Sequence, residues 1–302
     1  MIKAWMAAGA MLAWTPAAMA QTAPPAPVTA AVTKDADPAL WVVRDADTTI
    51  YLFGTVHVLK PGLSWFDEAV KTAFDKSDEV YLEIRQPEAS AAQATVLRLA
   101  INQTGPALPE RLPAGERAAY AGAVTGLGLP PAAFDRFDPW FAASTMTLVS
   151  LQKAGYDPAS GAEQVINQAA SGAGKPVNGL ETLEQQLGYF DALSERSQVA
   201  LLSETVKQLP EAPAMIDKMV EQWSTGQTDA LADTINEGLD ATPEVAKLLL
   251  FDRNARWATW IQQRMARPGT VFVAVGAGHL AGRESVQDKL AALKIKVERI
   301  RY

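Results

Sequence analysis

Thr48-Thr49-Ile50-Tyr51-Leu52-Phe53-Gly54-Thr55-Val56-His57 is a run of β-forming residues that ends in Gly-x-x-His. The pattern recurs near the other end of the chain. There Val271-Phe272-Val273-Ala274-Val275 leads into Gly276-Ala277-Gly278-His279. These are the only 2 histidines present. Two strands that each close on Gly-x-x-His are expected to deliver two imidazoles to one place, the usual way to build a metal or acid/base site.

Working outward, Leu40-Trp41-Val42-Val43 and Thr48–Phe53 flank the polar turn Asp45-Ala46-Asp47, which reads as a β-hairpin. Downstream, Phe66, Ala69, Val70, Ala73 and Phe74 recur at helical spacing, with Ser64 and Asp67 resembling a capping box. Glu79-Val80-Tyr81-Leu82-Glu83-Ile84 then reads as a buried strand. Strand, helix and strand form a βαβ unit and predict a parallel pair.

From Glu88 to about Lys207 the spacing is mostly helical, over Ala91–Ile101, Ala114–Leu127, Trp140–Ala154 and Gln198–Leu209. Lys175–Leu180 is a short strand within it, leading into Glu181. Pro213–Leu250 is helical again, broken at Gly226 and Pro243. A helix over Glu244–Met265 is expected to bury Leu248, Phe251, Ala255, Ala258 and Ile261. The C-terminus repeats β–α–β over Thr270–Val275, Ser285–Leu293 and Lys296–Ile300. The expected fold is α/β. Its mostly parallel central sheet is built from N- and C-terminal βαβ segments, with a large helical insertion.

The chain has 302 residues, 48% of them hydrophobic, enough for a sizeable core. A net charge of −7 leaves no basic stripe for nucleic acid. There is no cysteine, which excludes disulfides, thiolate metal sites and a lipobox. Lys3, the apolar run Ala4–Trp14 and Ala18-Met19-Ala20 read as an export signal over residues 1–20. Residues 21–37 are rich in Ala, Pro and Thr and read as a flexible linker, and 38–302 as the folded domain. An exported, periplasmic protein is expected, with no stable membrane insertion after cleavage. The helical insertion leaves room for a homodimer.

His57, Glu83, Glu181 and His279 each lie at or just beyond the end of an apolar β run. Ligands of open α/β sheets bind outside the carboxyl ends of the strands. Two imidazoles and Glu83 make a three-ligand metal site with open positions. Glu181 is then a general base or fourth ligand, or else a helix N-terminal charge. Gly54 and Gly276 let backbone approach a metal or substrate. Arg253, in Asp252-Arg253-Asn254-Arg256, either holds a substrate carboxylate or oxyanion, or belongs to a solvated ion-pair face. Trp257, Trp260 and Ile261 read as core. No H-E-x-x-H, G-x-S-x-G or Walker pattern occurs.

Taken together, these phrases resemble the TraB/GumN/Tiki family. They are Tyr51-Leu52-Phe53-Gly54-Thr55-Val56-His57, Tyr81-Leu82-Glu83-Ile84, Gly179-Leu180-Glu181-Thr182, Arg253-Asn254 and Val273-Ala274-Val275-Gly276-Ala277-Gly278-His279-Leu280. The export signal and Val58-Leu59-Lys60-Pro61-Gly62 look closest to the bacterial GumN-like branch. The resemblance implies an α/β fold with both Gly-x-x-His elements at one cleft. In the animal branch it implies a metal-dependent protease of secreted peptides, and in a bacterial branch the neutralising of a peptide pheromone. By position it makes His57, Glu83 and His279 the metal or catalytic residues, with Glu181 and Arg253 supporting them.

The expectation is therefore a periplasmic metal-dependent hydrolase acting on peptides or proteins. Zn, Mn, Co or Fe would polarise the carbonyl and activate water, Glu181 or Glu83 would take the proton, and Arg253 would stabilise the oxyanion. The alternative is a non-catalytic periplasmic protein that captures a peptide or haem.

Overall fold

The computed structural model describes residues 34–239 and 243–302. The leader at 1–20 and most of the expected linker lie outside those residues. The fold nevertheless includes Lys34–Asp37, ahead of the expected start at Pro38.

The strands are β1 (Lys34–Asp35), β2 (Leu40–Arg44), β3 (Thr48–Thr55), β4 (Leu63–Ser64), β5 (Glu79–Ile84), β6 (Val177–Glu181), β7 (Gly269–Gly276) and β8 (Glu298–Ile300). Six of them form one sheet in the order β6-β5-β7-β3-β2-β8, and β1 pairs with β4 alone. Neighbours are parallel from β6 to β3, while β2 runs antiparallel to β3 and to β8. The mostly parallel α/β sheet joining both ends of the chain is thus present.

One pairing differs from expectation. β3 and β5 run parallel but are not neighbours, because β7 lies between them. It pairs with β3 from Thr48↔Gly269 to Thr55↔Gly276 and with β5 from Glu79↔Val271 to Leu82↔Ala274. The reason is in its composition: Val271–Val275 has no polar face and is buried throughout. Such a strand is stable only with neighbours on both edges and cover on both faces. Val271, Val273 and Val275 face one core, while Phe272 and Ala274 face the other.

The first core lies against α10 (Asp252–Arg264) and α11 (Val286–Ala292), through Trp257, Ala258, Ile261, Val286 and Leu290. The second lies under the insertion. There Phe53, Val80, Leu82 and Phe272 join residues of α4 (Pro139–Lys153), α6 (Leu183–Asp191), α7 (Glu195–Gln208) and α8 (Ala212–Ser224). The remaining helices are α1 (Glu68–Lys76), α2 (Ala89–Ala100), α3 (Arg117–Gly126), α5 (Ala162–Gly172) and α9 (Thr228–Leu239), alongside shorter turns.

Two local expectations are corrected. Ser64 does not cap α1; Asp67 occupies the N-cap position without a capping bond. Ser64 is committed to the β1–β4 ladder, and its hydroxyl donates to Asp67. Ala255, expected on the inner face of its helix, is exposed. The inner face instead carries Arg253, Asn254, Trp257, Ala258, Ile261 and Arg264. A hydrophobic stripe cannot reveal polar side chains that are buried because they are paired.

The helix before α10 is irregular. A short α-turn, Pro243–Ala246, passes through a π-helical segment, Lys247–Phe251, and then into α10. Such segments are rare and frequent at functional sites.

Candidate active site at the carboxyl edge of the sheet

β3, β5, β6 and β7 are parallel, so their carboxyl ends share one edge. Glu83 is the penultimate residue of β5 and Glu181 the last of β6. His57 follows the end of β3, and His279 lies in the 3-10 turn Ala277–Leu280 after β7. All four residues singled out by pattern therefore occupy the same edge. Gly54 supports this by close packing: a Cβ there would lie 3.0 Å from the Ala277 Cα. Its carbonyl accepts from Trp223 Nε1 at 2.7 Å.

Arg253 sits at the centre of the cluster with a side chain only 1% exposed. Its Nε donates to Glu181 at 3.0 and 3.2 Å, and its Nη2 to Glu83 Oε2 at 2.7 Å and towards Glu181 Oε2 at 2.9 Å. Its Nη1 donates to the Leu249 carbonyl at 3.1 Å and meets His279 Nε2 at 3.2 Å. The Leu249 acceptor comes from the π-helical segment. Burial acts to lower the Arg253 pKa, and the carboxylates of Glu83 and Glu181 outweigh it, so the guanidinium is held above its ordinary value. Every nitrogen of this side chain is engaged within the protein. Arg253 thus organises the edge as a bidentate clamp on two carboxylates, and an oxyanion could claim its donors only by displacing these partners.

Glu83 is equally committed. Oε1 accepts from the Gly276 N–H at 2.6 Å, and Oε2 accepts from Gln186 Nε2 at 2.8 Å as well as from Arg253. His279 Nε2 lies 3.7 Å from Glu83 Oε1, and its Nδ1 lies 2.5 Å from Asn254 Oδ1. Around Glu181, Tyr189 Oη donates at 3.4 Å and Arg256 stands 3.6 Å away, half-exposed.

His57 differs from His279. Its Nδ1 pairs with Glu163 Oε1 at 2.6 Å, and Thr55 Oγ1 donates to the same oxygen. Its Nε2 is buried with no hydrogen-bond partner. Burial pulls the imidazole pKa down, but the Glu163 carboxylate beside it more than offsets this and holds it above the ordinary value. The charges of Glu83 and Arg253 also act on it, which puts His57 within electrostatic reach of the clamp. Burial raises Glu163, and His57 and Thr55 outweigh that, so its carboxyl is held below the ordinary value. Side chains here are 10% and 16% exposed, the wetter end of the cluster.

No sequence signal marked Glu163. It lies in the first turn of α5, where a negative charge suits the helix N-terminus. The Ala162 N–H donates to the Val56 carbonyl at 3.0 Å. Gly161 packs directly on the His57 carbonyl, and a Cβ there would lie 2.8 Å from its carbon. Gly161→Ala is therefore expected to lower stability by roughly 1–3 kcal/mol through overpacking, and to part Glu163 from His57. A melting curve superimposable on that of the wild type would contradict this close contact.

The donor set can be judged against the expected metal. Both oxygens of Glu83 and both ring nitrogens of His279 are engaged, leaving only Nε2 of His57 without a partner. Among the described residues no group of three or more His, Asp or Glu is placed to hold an ion. As arranged, the Arg253 guanidinium donates to one Glu83 oxygen and meets His279 Nε2, so both side chains already have partners where an ion would have to bind.

A family model described as the TraB/PrgY/gumN family matches residues 39–299. The chain belongs to this family. The span matched to the TraB/PrgY/gumN family contains the whole cluster from His57 to His279. An uncharacterized protein of Treponema pallidum (strain Nichols) is 24% identical over 266 residues, covering 82% of this chain and 78% of that protein. The uncharacterized protein YbaP of Escherichia coli (strain K12) is 27% identical over 168 residues, covering 54% of this chain and 60% of that protein. YbaP of Shigella flexneri gives the same figures. No solved structure matches the chain.

Proposed function

We propose that the chain is a hydrolase of acyl bonds, with peptides as the substrate class, and that His57 is its general base. The observation that carries this reading is the pairing of His57 Nδ1 with Glu163 while Nε2 stays buried and unpartnered. A carboxylate on one ring nitrogen orients the imidazole and stabilises the imidazolium formed when the other takes a proton from water. Glu83, Glu181 and Arg253 supply a fixed charge arrangement beside it.

Peptides enter from the family resemblance, and export to the periplasm from the N-terminal pattern. Among the described residues no helix is long and apolar enough to cross a membrane. A second reading, non-catalytic capture of a peptide or haem, is favoured by the closure of the cluster, since Glu83, Arg253 and His279 are all buried. Mass spectrometry of a peptide library incubated with the protein separates the two. Cleavage lost in His57→Gln supports the hydrolase, while retention without cleavage supports capture. Stoichiometric transition-metal uptake that disappears in His57→Ala would replace the general-base reading with the metal one.

The His57–Glu163 pair predicts a pH dependence. A raised imidazole contributes stability fully below its ordinary pKa of 6.5, lost as pH rises through the folded value. A lowered carboxyl contributes above its ordinary 4.5, lost as pH falls through the folded value. The pair is thus at full strength between these two values. Only the neutral imidazole is a base, so kcat/KM is expected to rise with pH through a midpoint above 6.5. A midpoint below 6.5 in the pH–rate profile would count against the pairing.

A further inference from the structure

We propose that a cavity at the C-terminal end of β8 binds the carboxylate of a peptide, with Arg299 and Arg301 as the groups that hold it. The proposal rests on peptides as the substrate class and names where their charged group sits. The cavity measures about 480 Å³, and its walls come from residues 226–230 and from both arginines. Small-ligand pockets are of this size, roughly 300–1,000 Å³.

Strand register puts the cavity on the same edge as the Arg253 clamp. Leu82 pairs with Ala274, Ala274 with Phe53, Phe53 with Leu40, and Leu40 with Ile300, so one row crosses five strands. β8 and β3 both run antiparallel to β2, and so parallel to each other. Glu83, Gly54 and Arg301 each come one residue after that row, towards the carboxyl edge. Ile300 and Phe53 are two strand spacings apart, about 10 Å, which three extended peptide residues span. Gly226 and Thr228 also line a narrow recess that ends on Gly54 and Ala277. The cavity thus shares a wall with the contact between the two Gly-x-x-His elements.

The arginines are set for an anion that the chain itself does not supply. Arg299 is held by neutral groups. Its Nη2 donates to the Gly226 carbonyl at 3.0 Å and its Nη1 to Thr228 Oγ1 at 3.4 Å, while its Cζ lies 5.2 Å from the centre of the Trp41 ring. Glycine is required at 226, where φ is 62° and a Cβ would lie 2.7 Å from Arg299 Nη2. The Arg301 side chain makes no hydrogen bond or ion pair among the described residues. Asp229 lines the cavity and acts on Arg299 through space, without forming an ion pair with it. Burial, with Arg301 beside it, holds the Arg299 guanidinium below its ordinary value in spite of Tyr302 and Asp229. Two cations therefore share the cavity with one carboxylate, in a chain whose net charge is −7. A carboxylate brings the missing countercharge and matches the planar fork of a guanidinium. A free chain end and an Asp or Glu side chain both present that group.

The test incubates the full chain with three matched sets of short peptides. One set ends in a free carboxylate, one is amidated, and one is amidated but carries an internal Glu; no other acidic residue is present. Mass spectrometry counts the peptides retained and the peptides cleaved. At least one carboxylate set is expected to exceed the plain amidated set by about tenfold or more, the worth of hydrogen bonds to a charged group. Which set does so assigns the source of the carboxylate. Arg301→Gln is expected to abolish the preference, leave the amidated set unchanged and melt with the wild type. Arg301→Lys, which keeps the charge, is expected to retain part of the preference. Equal handling of all three sets, no carboxylate peptide retained or cleaved, or a preference that survives in Arg301→Gln would overturn the proposal. A lowered Tm in Arg301→Gln would make the residue structural and overturn it as well. Retention that depends on Arg301 without cleavage keeps the cavity's role and ends the hydrolase reading. Cleavage indifferent to Arg301 does the reverse.

Discussion

Arg253→Ala is expected to remove about 3–5 kcal/mol of stability, the cost of breaking a buried ion pair by taking away one partner. The loss is large because the guanidinium serves two carboxylates at once, those of Glu83 and Glu181, in a place it barely shares with water. Without it, two carboxylates remain close together in a weakly polar interior without the cation they share. The Leu249 carbonyl loses a donor as well, and His279 Nε2 loses a close neighbour. Urea unfolding measures the effect, and a loss under about 1 kcal/mol, the range of an exposed pair, would contradict the central role given to Arg253. Arg253→Lys is expected to recover less than about half, because an ammonium lacks the planar fork that meets several acceptors in fixed directions.

His57→Gln is expected to lower turnover by roughly 10²–10⁴-fold, the range typical of a lost general base, while Tm stays close to wild type. Glutamine can still donate to Glu163 and fill most of the imidazole volume, so the fold has little reason to respond. It has no nitrogen able to take a proton near neutral pH. Glu163→Gln acts on the same step indirectly, by removing the charge that orients and stabilises the ring. Wild-type rates in His57→Gln would end the general-base reading. A parallel collapse of Tm would show instead that the imidazole is structural.

Much of this site could be read before any coordinates. Strand runs ending in Gly-x-x-His, Glu79–Ile84 and Lys175–Leu180 placed His57, Glu83, Glu181 and His279 at strand ends, and parallel pairing gathers those ends on one edge. What stayed hidden has two physical causes. Glu163, Gln186 and the role of Asn254 depend on contacts between elements far apart in the chain. Helix Ala162–Gly172, which brings Glu163, follows a proline and a glycine that look like a simple break. The insertion of β7 between β3 and β5 likewise depends on competition among strands, which local spacing does not encode. Arg253 was legible as a polar residue that faces either the cleft or solvent, and the sequence could not decide between them, because only its partners make burial tolerable.

The widened turn at Lys247–Phe251 bears on how relatives should be compared. Each residue of a regular helix advances the chain by about 100° around the axis, so a relative with one residue fewer in this turn would have the rest of that helix out of phase. Its arginine could then occupy the aligned column and still face outward. Conversely, a neighbouring residue could take over the clamp. Conservation of the arginine in an alignment is thus meaningful only when the length of the preceding turn is kept with it.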